Sequence, residues 1–242
     1  MTPGLLGRRD VMRALAEHLD EGHFVLLYGP RGVGKTAVLQ ALAERCSAAG
    51  LAVGTAERTA TLADLVSALE LAYPGVDVDV ARPRARARLR LAAESSRCVL
   101  LLDDVGQVGS AFKSLLRSLR GTGSGVVMAA GADSPREHED LRALHLAHRE
   151  FELPRLGAAS MRALLGRMLA TASTPHPLHE DDVERLVHAA EGLPGRATWF
   201  VAELAREAAW CDGRVRAEWL HTEALALSAQ EILTRSAKTL QS

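Results

Sequence analysis

The residues with the clearest chemical meaning form one short segment, Gly29-Pro30-Arg31-Gly32-Val33-Gly34-Lys35-Thr36. This segment fits the phosphate-binding pattern G-x-x-x-x-G-K-[ST] at every constrained position. Its inner glycines allow positive φ values, so backbone N–H groups can surround an anion at the start of a helix. Lys35 can reach the β- and γ-phosphates of a nucleotide, and the Thr36 hydroxyl can bind Mg²⁺. We predict that the phosphates contact Gly29, Pro30, Arg31, Gly32, Val33, Gly34, Lys35, Thr36 and Ala37.

The segments on either side of this loop have the patterns that a phosphate site requires. Residues 23–28, His-Phe-Val-Leu-Leu-Tyr, form an apolar run typical of a buried strand, and residues 37–44 have a helical composition. Strand, glycine-rich loop and helix together are the context in which the pattern binds phosphate. The alternative is a chance glycine turn before a helix, and a second motif argues against it.

The second motif is a pair of aspartates that follows another apolar run. Residues 98–102, Cys-Val-Leu-Leu-Leu, predict a central parallel strand covered on both faces, and Asp103 and Asp104 follow it directly. Ligands of open α/β sheets bind outside the carboxyl ends of the strands. We therefore expect Asp103 to hold Mg²⁺ through water beside Thr36, and Asp104 to act as general base toward the attacking water. The alternative is an ordinary acidic strand end.

The order of patterns along the chain predicts an α/β unit at residues 1–155 followed by a helical unit at residues 156–242. Strands alternate with helices up to Pro154, which favours a parallel sheet. Further strands are predicted at 51–55, 126–130 and 150–153, with helices from about residue 10, at 61–72, 83–95, 109–120 and 136–147. Later helices are predicted near 158–171, 179–191, 196–211, 216–227 and 228–240.

Composition excludes several classes of protein. The 242 residues include 29 basic and 30 acidic side chains, so bulk charge argues neither for nor against a nucleic-acid partner. Three scattered cysteines indicate neither a disulfide framework nor a cysteine zinc site, and they favour a reducing, cytoplasmic setting. We expect no signal peptide and no membrane span.

Together these motifs resemble those of the AAA+ ATPases and their STAND relatives, especially the compact subgroup of origin-recognition and transposition ATPases. The loop at 29–36 resembles the Walker A motif, and Leu100 to Asp104 resembles Walker B. Gly7 to Asp10 resembles the family's adenine-binding N-terminal segment. Residues 151–156 resemble the junction into the helical lid, and Gly192 to Arg196 resembles a lid motif whose arginine faces the nucleotide.

The resemblance implies a P-loop fold with a five-stranded parallel sheet in the order 5-1-4-3-2, flanking helices and a C-terminal all-α lid. It implies ATP and Mg²⁺ as ligands, and Arg196 as a sensor of the γ-phosphate. It also implies a homo-oligomer, completed by an arginine from a neighbouring subunit, that acts on a separate protein or DNA-bound protein. Asp133 is the candidate for the first sensor, and Arg142 and Arg149 are candidates for the arginine finger.

Two alternatives to an ATPase stay open. Most family members carry Glu where this chain has Asp104, which is one methylene shorter, so the protein could be a STAND-like switch that binds ATP and hydrolyses little. A small-molecule kinase also uses a phosphate loop, although the helical appendage and paired aspartates argue against it. We interpret the arginines at 82–90 as a solvated helix, the pairs His145/His148 and His176/His179 as surface histidines, and the aromatic residues at 199–219 as lid core.

Overall fold

The computed structural model describes residues 5–59, 61–76, 83–106, 108–131 and 149–240, except the side chains of residues 83–86 and 230–240. The helix predicted at 136–147, the sensor candidate Asp133, the finger candidate Arg142 and the pair His145/His148 lie outside these residues.

Within the part of the chain that the structure describes, five parallel strands form the central sheet, and their order is the predicted one, 5-1-4-3-2. The fold class predicted from the sequence, an α/β P-loop fold, is therefore confirmed. Because all strands point the same way, their carboxyl ends share one edge, where both motifs lie. The strands are β1 (Phe24–Gly29), β2 (Ala52–Ala56), β3 (Cys98–Leu102), β4 (Gly125–Gly131) and β5 (Arg149–Glu152).

Helices cover both faces of the sheet, and alternate strand residues point to opposite faces. On one face Leu26 and Leu100 pack in a cluster with α3, α4 and α5. On the other face Val25 and Val99 pack with α1 and α2. The helices of this unit are α1 (Arg9–Asp20), α2 (Lys35–Ala48), α3 (Leu62–Ala72), α4 (Pro83–Ser95) and α5 (Ser110–Ser118).

A third apolar cluster lies almost wholly in residues 156–227, with Leu6 packed against it from the N-terminal segment. Its helices are α6 (Ala158–Leu169), α7 (Glu180–Ala189), α8 (Pro194–Glu203) and α9 (Ala217–Leu240). We call this region the lid; its boundary at residues 155 and 156 remains a prediction. The aromatic residues predicted as lid core pack here, with Phe200 and Trp210 buried. Among the described residues, no helix combines the length and the apolar character needed to cross a bilayer.

Two helix predictions in the lid are wrong. The helix predicted at 196–211 ends at Glu203, and a 3₁₀ turn (Glu207–Ala209) and a hairpin of β6 (Trp210–Cys211) and β7 (Arg214–Val215) follow. Asp212 and Gly213 have φ values of 50° and 72°, which is the Asp-Gly turn chemistry of a tight hairpin. The two helices predicted at 216–227 and 228–240 are one continuous helix, in which the Ser228 hydroxyl donates to the Ala224 carbonyl.

Candidate functional site

The glycine-rich loop joins the end of β1 to the start of α2, as the strand–loop–helix prediction required. Gly32 and Gly34 have φ values of 76° and 103°, in the region where a side chain would be strained. Gly29 is needed for space, because a Cβ atom there would lie 2.8 Å from the Leu153 carbonyl oxygen. The loop is thus shaped by backbone conformations that only glycine adopts at low cost.

The N-terminal end of α2 lacks acidic side chains, which in many helices accept hydrogen bonds from the first N–H groups. Among residues 34–37, all of which the structure describes, there is no acidic residue and no side-chain cap. By contrast, α3 begins with a capping box formed by Thr61 and Asp64. Because a helix N-terminus attracts negative charge, the start of α2 is suited to an anion that the chain itself does not supply.

The Lys35 ammonium lies over its own loop. Its Nζ donates to the carbonyl oxygens of Gly29 at 2.8 Å and Pro30 at 3.1 Å. These contacts keep the cation beside the backbone of the loop, where a phosphate chain could replace the carbonyls as its partner.

Thr36 and Asp103 are 67 positions apart in the chain and meet at the carboxyl edge of the sheet. The Thr36 hydroxyl donates to Asp103 Oδ2 at 2.5 Å. The other carboxylate oxygen of Asp103 accepts the backbone N–H of Asp104 at 2.9 Å. A hydroxyl beside a fixed carboxylate offers the oxygen ligands that Mg²⁺ prefers, and each can bind directly or through water.

Asp104 occupies an unusual backbone position next to this pair. Its φ of 46° is left-handed, and aspartate tolerates that region better than most residues do. The preceding N–H, of Asp103, donates to Ala56 of β2, whereas the following N–H, of Val105, donates to Ala129 of β4. The chain thus changes hydrogen-bonding partners at Asp104, and this residue is exposed at the sheet edge.

Arg196 is buried in the lid, with 6% of its surface exposed. Its guanidinium lies 3.0 Å from a carboxylate oxygen of Glu191 and 3.1 Å from the Ser228 hydroxyl. Glu191 compensates the unfavourable placement of a cation near the N-terminus of α8. The role of Arg196 as a γ-phosphate sensor remains a prediction.

The lid touches the phosphate loop through backbone atoms, a contact that sequence reasoning missed. The Gly195 N–H donates to the Gly32 carbonyl oxygen at 2.9 Å. A Cβ atom at Gly195 would lie 2.9 Å from the Gly32 Cα atom, so only glycine allows this approach. The sequence signal was a glycine directly after the proline that opens α8.

Arg8 is the second feature that the sequence did not reveal. Only 2% of its surface is exposed, and burial lowers the pKa of its guanidinium. It donates to Pro154 O at 2.5 Å and to Val33 O at 3.0 Å. One side chain therefore connects the N-terminal segment, the phosphate loop and the junction between sheet and lid.

The remaining candidates lie apart from this site. Arg149 begins β5 opposite Val25, toward the edge of the sheet away from the loop. His176 packs against Trp210, and His179 precedes α7 as its N-cap, so these two histidines serve different contacts. In α4, Arg90 is exposed and pairs with Glu94, as expected of a solvated helix.

With this geometry in hand, comparison with known proteins identifies the family. Residues 4–190 match the family model of the AAA ATPase domain, which is more than half of the chain. The chain belongs to this AAA ATPase family. It is thus an ATP-binding ATPase domain by family, and the resemblance inferred from its motifs is confirmed. No curated protein matches the sequence.

Several solved structures share this fold. The ORC1 protein of Aeropyrum pernix in complex with DNA is 22% identical, with a TM-score of 0.60 over 96% of this chain and 68% of that one. The RuvB Holliday junction branch migration motor of Thermotoga maritima is 16% identical, with a TM-score of 0.57 over 92% and 70%. The Aeropyrum pernix ORC2 protein in its ADP form is 18% identical, with a TM-score of 0.53 over 91% and 67%. At these identities the likeness shows the fold.

Proposed function

We propose that this AAA domain hydrolyses ATP with Mg²⁺ and uses the cycle to change its conformation against a separate partner. The observation that carries the proposal is the 2.5 Å hydrogen bond between Thr36 and Asp103, because it joins the phosphate loop to the acidic strand end. Family membership supports the nucleotide, and the structural neighbours include an ADP form.

The proposed roles follow from the positions of the side chains. Residues 29–37 contact the phosphates, which accept hydrogen bonds from the backbone N–H groups of about residues 32–36. Lys35 neutralises the β- and γ-phosphates. Thr36 and Asp103 would hold Mg²⁺, which when bound neutralises charge on the phosphate oxygens. Asp104 accepts a proton from the attacking water. The water oxygen forms a bond to the γ-phosphorus while the bond from that phosphorus to the β–γ bridging oxygen breaks. Arg196 would stabilise the charge of the transferring phosphoryl group after the lid moves.

The experiment separates binding from turnover. Lys35→Ala should abolish binding of fluorescent mant-ATP while the circular dichroism spectrum stays unchanged, because the loop loses its only ammonium. Lys113→Ala in α5 is the matched control and should bind normally. Equal affinity of Lys35→Ala and the parent would remove the assignment of the phosphate loop.

Asp104→Asn should keep mant-ATP affinity and lose steady-state phosphate release by at least about 100-fold, the usual size of a general-base contribution. Asparagine tolerates the left-handed backbone at this position. Asp212→Asn is the control, since Asp212 is also exposed and has a φ of 50°. Unchanged turnover in Asp104→Asn would contradict the base assignment.

A switch that binds ATP firmly and hydrolyses little is the second candidate function. Asp104, shorter than the glutamate that most family members carry, favours it. Firm mant-ATP binding with no phosphate release by the parent protein would support the switch over the hydrolase.

We propose that the working form is a cytoplasmic homo-oligomer and that its partner is a protein or a DNA-bound protein. Support for DNA comes from fold neighbours, one a complex with DNA and another a Holliday junction motor. Mass photometry with and without ATP and duplex DNA tests both points. A monomer under every condition would contradict the oligomer.

A further inference from the structure

Three side chains with metal-binding atoms converge at the edge of the sheet opposite the phosphate loop. They are His18 in the last turn of α1, Glu21 in the following turn and His23 just before β1. His18 Nδ1 lies 3.1 Å from Glu21 Oε2, and His23 Nδ1 lies 3.0 Å from the same oxygen. The two Nδ1 atoms are 3.2 Å apart. Each of the three atoms thus contacts both of the others.

The backbone fixes this arrangement. The His23 N–H donates to the His18 carbonyl at 2.9 Å, and the His23 carbonyl accepts from Val126 of β4 at 3.1 Å. Gly22 turns the chain with a φ of 70°, and a Cβ atom there would lie 3.0 Å from the backbone of Gly123. The three residues of the spacing H-x-x-E-x-H come together because backbone hydrogen bonds hold the end of α1 beside the start of β1. The sequence alone does not show this contact.

Side-chain packing also orients one of the rings. The centroid of the His18 ring lies 5.4 Å from that of Phe151 in β5. Glu21 is exposed and the two histidines are partly exposed, so solvent and ions reach the cluster.

The distances among the three atoms suit a metal ion better than a shared proton. Each Nδ1 atom donates or accepts according to the tautomer of its ring, whereas the carboxylate oxygen only accepts. No choice of tautomers therefore makes all three contacts hydrogen bonds, because two acceptors or two donors always face each other at about 3 Å. Ligand atoms of a tetrahedral Zn²⁺ with bonds of about 2.0–2.1 Å are about 3.3 Å apart. The observed triangle, with sides of 3.0 to 3.2 Å, comes close to one face of that tetrahedron.

We propose that His18, Glu21 and His23 bind a divalent transition metal of the Zn²⁺ class, with a fourth position open to water. The carboxyl end of α1 favours a cation at this place, because the helix dipole is negative there. Two imidazole ligands select Zn²⁺, Co²⁺ or Ni²⁺ over Mg²⁺, which prefers oxygen. The length of β1 separates this site from the phosphate loop by about 20 Å at 3.3 Å per residue. The bound metal therefore clamps α1 to β1 independently of the nucleotide.

The test is a Zn²⁺ titration of untagged, chelator-treated protein against a chromophoric competitor, with excess Mg²⁺ present. We expect one equivalent to bind and to raise the melting temperature, since a ligand of the folded state stabilises it. His18→Gln and His23→Gln should each weaken binding at least about tenfold. His176→Gln is the matched control, because His176 faces a single carboxylate, Glu207, at 3.5 Å, and its Zn²⁺ affinity should not change.

A second measurement distinguishes the site from loose surface binding. Co²⁺ added to the parent protein should give the intense visible absorption of a tetrahedral complex, and Glu21→Gln, at an exposed side chain that leaves the fold intact, should change that spectrum. Absence of stoichiometric Zn²⁺ binding by the parent overturns the proposal. So does equal Zn²⁺ affinity of His18→Gln, His23→Gln and His176→Gln.

Discussion

Replacing Arg8 with methionine tests whether one buried cation joins three parts of the molecule. Methionine keeps an unbranched apolar stem, so the change removes the guanidinium while leaving most of the side-chain packing. Two carbonyl oxygens lose their donor, Pro154 O at 2.5 Å and Val33 O at 3.0 Å. The first belongs to the sheet–lid junction and the second to the phosphate loop.

The magnitude follows from these two bonds. A hydrogen bond from a charged donor contributes about 1.5–3 kcal/mol, and a carbonyl left buried without a partner costs a similar amount. Removing a desolvated guanidinium offsets part of that loss, because burying the charge was itself unfavourable. We therefore expect the free energy of unfolding to fall by about 3 kcal/mol. For a chain of this size that lowers the melting temperature by about 6–12 °C.

The assay is urea and thermal unfolding of the parent, Arg8→Met and Arg9→Met. Arg9 is the adjacent arginine and is exposed, so its replacement should change stability by about 0.5 kcal/mol or less. Arg8→Lys should recover roughly half of the loss, since an ammonium can reach one of the two carbonyls but lacks the fork that spans both. If the free energies of unfolding of Arg8→Met and Arg9→Met differ by less than about 1 kcal/mol, the two hydrogen bonds do not hold the segments together.

Further outcomes follow from close packing and from thiol burial. Gly54→Ala in β2 should lower the free energy of unfolding by about 3 kcal/mol or more, because the new Cβ atom would lie 2.0 Å from the Ala68 carbonyl oxygen. A Cβ atom at Gly166 in α6 would meet nothing within 4 Å. Gly166→Ala should stabilise by about 0.5–1 kcal/mol, and urea unfolding of both variants checks the contrast. Iodoacetamide should modify Cys211 alone in the native protein, since burial raises the pKa of Cys98 and Cys46 and hides both thiols. Mass spectrometry should show one adduct before unfolding and three after it, and rapid native modification of Cys98 would contradict the packing of β3.

The parts of the fold that depend on local patterns were predictable. β1 and β3 are apolar runs followed directly by the two motifs, and the carboxyl ends of parallel strands share an edge. That rule places Thr36 and Asp103, which are 67 positions apart, at the same edge, although the 2.5 Å contact between their oxygens comes only from the structure. The order of the strands came from the resemblance, because no pattern within a strand specifies its neighbours.

The predictions that failed depend on turn chemistry and on contacts between distant residues. The helix predicted at 196–211 is wrong at its end because the pair Asp212-Gly213, with positive φ values, forms the turn of a hairpin. The residues just before that pair therefore belong to a strand. Arg8 gave no signal of burial, because arginine is normally exposed and its two carbonyl partners lie 25 and 146 positions away. The convergence of His18, Glu21 and His23 likewise needs the turn at Gly22, which no helical or strand periodicity indicates.

Adjacent carbonyls of the phosphate loop are bound to different parts of the chain. Gly32 O accepts from Gly195 at the start of the lid helix α8, and Val33 O accepts from Arg8 before α1. A peptide unit is planar, so a loop that turns its N–H groups toward a phosphate also fixes the direction of the C=O groups in the same units. Any change in those peptide planes therefore alters hydrogen bonds to the lid and to the N-terminal segment at once. The residues that hold the loop in shape are thus the same residues that join it to the lid and to the N-terminal segment.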